Sequence, residues 1–297
     1  MKILSIYSKQ LSALFFLTTC VIFLLGFQKS LKLSNAFQFE YINWMHLVIF
    51  YTILFMSSFV SGLSGFGFSA IGASLLLFMQ PSTGVALLML LSIFTQMLSV
   101  RKLWVELRPN IVLSNAPNSL VPYLIGGILA APIGVYFLNV ANPKNLMVIL
   151  GSILLAYAVY SLGKPKSLSL TITADWKKSF LVGALGGLVG GFSAFPGSAL
   201  VVWTGLQNMS KEKTRALTQP YIIVMQVVSL IAFVAHYRQA FDLTLLALFA
   251  SAVPVVYLGN NYGVGNFKTI DQNLFKKVTF LLLGVSGAVL LAKATLI

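Results

Sequence analysis

The sequence predicts an all-α integral membrane protein. It is read as two inverted repeats of five hydrophobic elements, each with a broken, re-entrant helical hairpin, plus an extra N-terminal transmembrane helix. Three observations predict this: an extreme apolar composition, a recurring Gly-rich interruption, and a one-sided distribution of basic residues.

Of the 297 residues, 58% are hydrophobic and 9% are charged. A soluble domain carries about 25% charged residues, so this chain needs a solvent that tolerates apolar surface, which is the lipid bilayer. The formal charge is +14, from 20 Lys+Arg against 6 Asp+Glu. The basic residues stand singly or in pairs between apolar runs, as in Arg101-Lys102 and Lys177-Lys178. That pattern suits loops facing anionic headgroups. With no aromatic-basic platform and no zinc spacing, nucleic acid is not an expected partner. The single cysteine, Cys20, excludes an intrachain disulfide.

The first apolar run, 11–27, follows Lys2 and Lys9. Gly26-Phe27-Gln28-Lys29 is a poor cleavage site, so residues 1–45 read as a retained transmembrane helix and loop. Apolar segments follow at 46–61, 67–79, 83–100, 118–139 and 144–162, making a first transport repeat over 46–162. The Lys- and Pro-containing stretch 163–178 reads as a connecting cytoplasmic loop. A second repeat, 179–297, holds segments at 179–191, 197–206, 214–235, 242–258 and 274–292.

A shift of 129 residues lays Val60–Ala70 on Val189–Ala199, with six of eleven positions identical. Duplicated halves are frequent in transporters. Gly62, Gly65 and Gly67 weaken helix in the first copy, and Gly190, Gly191, Pro196 and Gly197 do so in the second. The pieces that follow each break are too short to cross a hydrocarbon core of about 30 Å. If each broken pair returns to its own side, 15 of the Lys+Arg fall on the amino-terminal side and 5 opposite. If each pair is one crossing, the split is 11 to 9. Only the first arrangement has the cytoplasmic bias. It places the amino terminus in the cytoplasm, the carboxyl terminus outside, and the halves in inverted orientation in the cell (inner) membrane.

The two interrupted stretches, Gly62-Leu63-Ser64-Gly65-Phe66-Gly67 and the Gly-rich run from Gly183 to Gly197, resemble the signature regions of the TauE/SafE sulfite exporter family, also called the toluene sulfonate uptake permease family. The resemblance covers about 46–292 and includes Thr95-Gln96 and Gln219 to Gln226. It implies a permease for sulfite, sulfonates or related small organic anions, often exporting. Phe66 and Phe68 stand where many members have glycine, and the helix at 11–27 is additional to the usual core.

The candidate substrate-binding residues are Ser64, Gly65, Phe66, Gly67, Ser69 and Gln96 in the first half, and Ser193, Phe195, Pro196, Gly197, Ser198 and Gln226 in the second. A helix N-terminus carries roughly half a positive charge and several free N–H groups. Helices starting near Gly67 and Gly197 could therefore face an anion without any buried arginine. Ser64 and Ser193 are placed to cap those helices, and Ser69 and Ser198 to point into the same space. Close helix packing is the competing role for the glycines. Gln96 and Gln226 divide evenly between substrate contact and bonds across helices. Phe66 and Phe195 are expected to pack rather than gate.

All six acidic residues fall in loops or at segment ends, and Asp242 reads as an exposed cap. No membrane carboxylate is available for tight proton coupling. His46 and His236 read as interfacial residues. Trp44, Trp104 and Trp176 read as interfacial anchors, whereas Trp203 has no assigned place. No catalytic constellation, metal site or cofactor is expected. Homo-oligomerisation stays open. A membrane-embedded enzyme and a non-transporting scaffold or receptor are the alternatives; a scaffold gains nothing from interrupted helices.

Overall fold

The computed structural model describes residues 44–77, 79–114, 119–140, 143–163 and 175–296. The predicted helix at 11–27, Glu40 and most of the connecting loop lie outside the described residues.

All ten core segments are helical. The first five are α1 (Trp44–Ser64), α2 (Phe68–Gly72, continued by a 3-10 turn over Ala73–Leu77), α3 (Pro81–Lys102), α5 (Leu120–Val140) and α6 (Pro143–Gly163). A short α4 (Trp104–Leu107) lies between α3 and α5. The second five are α7 (Trp176–Ser193), α8 (Gly197–Leu206), α9 (Lys211–His236), α10 (Leu243–Thr269) and α11 (Gln272–Leu296). Local chemistry sets several starts. Pro81 stands at the first position of α3. Asp175, Ser210 and Asp242 each accept a backbone N–H in the first turn of α7, α9 and α10.

Among the described residues, six helices are long and apolar enough to cross a membrane: 44–64, 82–102, 120–137, 211–236, 243–269 and 272–292. Their outward faces are apolar, as at Leu129, Ile231 and Leu243, while Ser57, Ser61, Gln96, Gln219 and Gln226 are buried. Polar inside and apolar outside is the arrangement of a chain solvated by lipid. The chain is therefore a multi-pass membrane protein. Trp44, Trp104 and Trp176 are exposed, as interfacial anchors would be.

The helices pack most extensively as α5 with α7, α1 with α10, and α6 with α11, around a central α3 and α9. Glycine makes the contacts close. A Cβ on Gly183 would lie 2.1 Å from the Tyr123 carbonyl oxygen, and one on Gly263 would lie 2.0 Å from that of Phe59. This accounts for one difference from expectation. The predicted segment 242–258 continues to Thr269. Gly259 and Gly263 weaken helix locally, but here they let α10 lie directly on α1.

Candidate functional site

Each half breaks where glycine and proline place the interruption. At the end of α1, Gly65 has φ +88, and its N–H donates to the Ser61 carbonyl at 2.7 Å. Ser64 Oγ donates to the Val60 carbonyl at 2.8 Å and accepts from Gly67 N–H at 3.2 Å and Phe66 N–H at 3.4 Å. At the end of α7, Ala194 takes φ 57 and donates to the Gly190 carbonyl at 3.0 Å. Pro196 then precedes α8, and the Phe195 carbonyl accepts from Ser198 Oγ at 3.2 Å and Ser198 N–H at 3.4 Å.

The two breaks meet. Ser69 Oγ, in the first turn of α2, donates to the carbonyl of Ala194. The same carbonyl accepts from Gln226 Nε2 on α9 at 2.8 Å, and that Nε2 also reaches Ser92 Oγ on α3 at 3.3 Å. A second chain of bonds serves the first break: Gln219 Nε2 donates to Gln96 Oε1 at 2.9 Å, and Gln96 Nε2 donates to Ser61 Oγ at 3.4 Å. The rings of Phe66 and Phe195 stack across the junction, with centroids 6.3 Å apart and planes at 19°. Ser64, Phe66, Ser69, Gln96, Phe195, Ser198 and Gln226 are all buried.

Three local expectations are corrected. Ser193 does not cap α8. Its hydroxyl donates back to the Val189 carbonyl at 2.7 Å, the usual resort of a serine in a helical last turn. Ser64 caps the turn rather than α2, whose N-cap residue is Gly67 with no side-chain bond. Gly67 and Gly197 do not stand open to a ligand. A Cβ on Gly67 would meet Val60 Cγ1 at 2.5 Å, and one on Gly197 would meet Ile222 Cδ1 at 2.7 Å and Phe66 Cβ at 3.2 Å. Packing already fills those faces. The amides of Gln96 and Gln226 bond across helices, while Gln226 Oε1 and Gln219 Oε1 are buried without a partner.

Sequence reasoning missed Arg215. It is one of the 15 cations that the sequence places in loops on the amino-terminal side, yet it is wholly buried in the second turn of α9. Its Nη2 donates to the Gly62 carbonyl at 2.8 Å and its Nη1 to the Leu63 carbonyl at 3.3 Å. A signal was present: Arg215, Gln219, Ile222 and Gln226 recur at helical spacing, so arginine opens a stripe that the two glutamines continue. Asn260 was also missed. It bonds Ser99 Oγ at 2.8 Å and the Thr95 carbonyl at 3.3 Å. Trp203 finds its place through Nε1, which donates to Tyr123 Oη at 2.8 Å.

The described acidic residues serve helix ends and surface pairs. Asp242 Oδ1 accepts from Leu245 N–H at 2.9 Å, the cap expected of it. Asp271 Oδ1 accepts from the N–H groups of Asn273 and Leu274. Glu106 pairs with Lys268 at 2.9 Å, and the hydrogen bond from that lysine holds its carboxyl below the usual range. Among the described residues, no group of three His, Cys, Asp or Glu could hold a metal ion.

No curated protein and no solved structure significantly matches the chain. A family model does, that of the sulfite exporter TauE/SafE, over residues 49–290. The match spans α1 to α11, including both breaks and the polar stripe between them. Broken helices joined by buried polar side chains inside an apolar shell, together with a match over most of the chain, lead to one assignment: this chain belongs to the sulfite exporter TauE/SafE family.

Proposed function

We propose that the chain is a permease for small sulfur-containing or organic anions, such as sulfite or a sulfonate. It works as an exporter, by alternating access around an anion site near mid-membrane. The observation that carries this reading is the junction of the two breaks, where Ser69 Oγ of one half bonds the Ala194 carbonyl of the other. Helices that stop inside a membrane expose backbone groups that must find partners. Bringing two such stops together concentrates donors in one place, as in other transporters built from discontinuous helices. Within the stretches Gly65 to Ser69 and Ala194 to Ser198, the N–H groups of Phe68, Ser69, Phe195 and Gly197 supply the site, with the nearby hydroxyls and the amides of Gln96 and Gln226. The stacked Phe66 and Phe195 pack across the junction beside it.

The packing supports a twofold repeat, and the charge distribution supports its inversion. Exchanging the two sets of five converts α1 on α10 into α7 on α5, and returns α3 on α9 and α6 on α11 to themselves. With Arg215 buried rather than in a loop, the charge bias becomes 14 to 5 and still favours a cytoplasmic amino terminus and an external carboxyl terminus. The reading assigns no enzymatic activity and no cofactor.

Sulfite transport into proteoliposomes tests it. Ser69→Ala and Gln226→Leu each remove one bond to the Ala194 carbonyl and so loosen the junction that positions the site, which should weaken affinity roughly fivefold, about 1 kcal/mol. Ser193→Ala removes only a bond within α7 and should leave affinity unchanged. If Ser69→Ala and Gln226→Leu both keep wild-type affinity and rate, the site lies elsewhere and the breaks serve packing alone.

A further inference from the structure

Among the described residues, Arg215 is the only charged residue buried as a whole; Lys102 is half-buried, with its Nζ enclosed over the Tyr257 ring. Its hydrogen bonds go to two main-chain carbonyls, Gly62 and Leu63, at the last turn of α1. Its guanidinium carbon lies 4.3 Å from the centroid of the Phe267 ring. Its Nε has no partner. The two ion pairs among the described residues, Lys178 with Asp175 and Lys268 with Glu106, do not include it.

A buried cation without a carboxylate is costly. Its surroundings here compensate only in part. The carbonyl end of a helix carries about half a negative charge, and the ring face adds a quadrupole rather than a charge. A full positive charge set against about half leaves a net positive potential at the first break. The second break has no such charge. There the neutral amide of Gln226 holds the Ala194 carbonyl. Gly65 leaves the room Arg215 needs, since a Cβ there would lie 2.9 Å from Arg215 Cγ and 3.1 Å from its Nε. The carbonyl end of α1 alone would repel an anion; with Arg215 on it, the end attracts one.

We propose that Arg215 is a specificity-determining residue, which selects anions over neutral isosteres at the first break and offers its unshared Nε–H to a ligand oxygen. This rests on the permease reading above. The contact forms when the seam between α1 and α9 opens, since Nε is enclosed in the present conformation. A purely structural Arg215, holding only the end of α1, would affect folding and maximal rate but neither KM nor charge discrimination.

The test uses proteoliposomes of wild type, Arg215→Lys and Arg215→Gln. It reads the concentration dependence of sulfite uptake, and competition by methanesulfonate and by neutral dimethyl sulfone. In wild type, methanesulfonate should compete and dimethyl sulfone should not. Arg215→Gln should raise KM roughly tenfold or more, the loss of one charge-assisted hydrogen bond, and narrow the gap between the two competitors. Arg215→Lys keeps the charge but loses the planar fork and the Nε–H, so it should raise KM yet still favour methanesulfonate over dimethyl sulfone. Arg215→Gln with wild-type KM and only a lower folded yield would overturn the proposal. So would equal competition by dimethyl sulfone in wild type, an arm that needs no variant to fold. Wild-type vesicles that move neither sulfite nor methanesulfonate would instead refute the permease reading itself.

Discussion

Gly187→Ala adds one methyl group where two helix backbones touch. A Cβ on Gly187 of α7 would lie 2.3 Å from the Gly127 carbonyl oxygen of α5, and 2.7 Å from its Cα. An ordinary carbon-to-oxygen contact is about 3.3 Å or longer, so the helices must part by about 1 Å. No side chain can rotate away, because both obstructing atoms are backbone. A gap of that size forfeits a quarter to a half of the dispersion well for the contacts it opens. Overpacking of this kind costs about 3 kcal/mol, offset by up to about 1 kcal/mol of helix propensity. The net loss of about 2 kcal/mol lowers the melting temperature by roughly 4–8 °C. Gly265→Ala is the control. It makes the same chemical change within α10, where nothing lies within 4 Å of the added carbon. It should be neutral or stabilising by up to about 1 kcal/mol. The assay is thermal unfolding of the purified variants in one detergent at one scan rate. If Gly187→Ala melts together with Gly265→Ala, the close approach of α5 and α7 does not hold the molecule as argued.

Tyr123→Phe leaves Trp203 Nε1 buried without its acceptor and should cost about 1–3 kcal/mol, read as a lower melting temperature. The Asp271 carboxyl is held below its usual range, chiefly by the backbone N–H of Leu274. A depressed folded-state value contributes stability above the unfolded value and loses it as pH falls through the folded one. Asp271→Asn should therefore flatten the acid limb of the stability profile, and an unchanged limb would refute the assignment. Topology reporters fused after Gly163 and after Ile297 should report opposite sides of the membrane, and a shared side would sink the inverted arrangement.

Much of this architecture was legible because the membrane enforces simple rules. Apolar runs had to be helices, and Gly62 to Gly67 and Gly190 to Gly197 had to interrupt them. The far end of α10 was less legible: the segment read at 242–258 runs on through Gly259 and Gly263, which lie directly on α1, to Thr269. Serine roles also depended on geometry. Ser69 reaches the other half while Ser193 turns back into its own helix, although both stand beside a break. Arg215 was hidden by a sound rule applied one turn too far. Basic residues at the end of a span are usually in a loop, but this one folds inward to satisfy the carbonyls of α1. The pairing of Trp203 with Tyr123 joins residues 80 positions apart, and no local pattern announces it.

The central claim is tested most directly by net sulfite movement in proteoliposomes under an imposed membrane potential, with no proton or sodium gradient. A singly charged anion gains about 2.3 kcal/mol per 100 mV, enough for a gradient of roughly fiftyfold at equilibrium. The acidic residues within the described chain serve helix ends and surface pairs rather than a buried relay. The account therefore predicts that potential alone drives sulfite out of the inside-negative compartment, faster than from protein-free vesicles. Efflux no faster than from protein-free vesicles, or efflux that ignores the potential and requires a proton or sodium gradient, would contradict it.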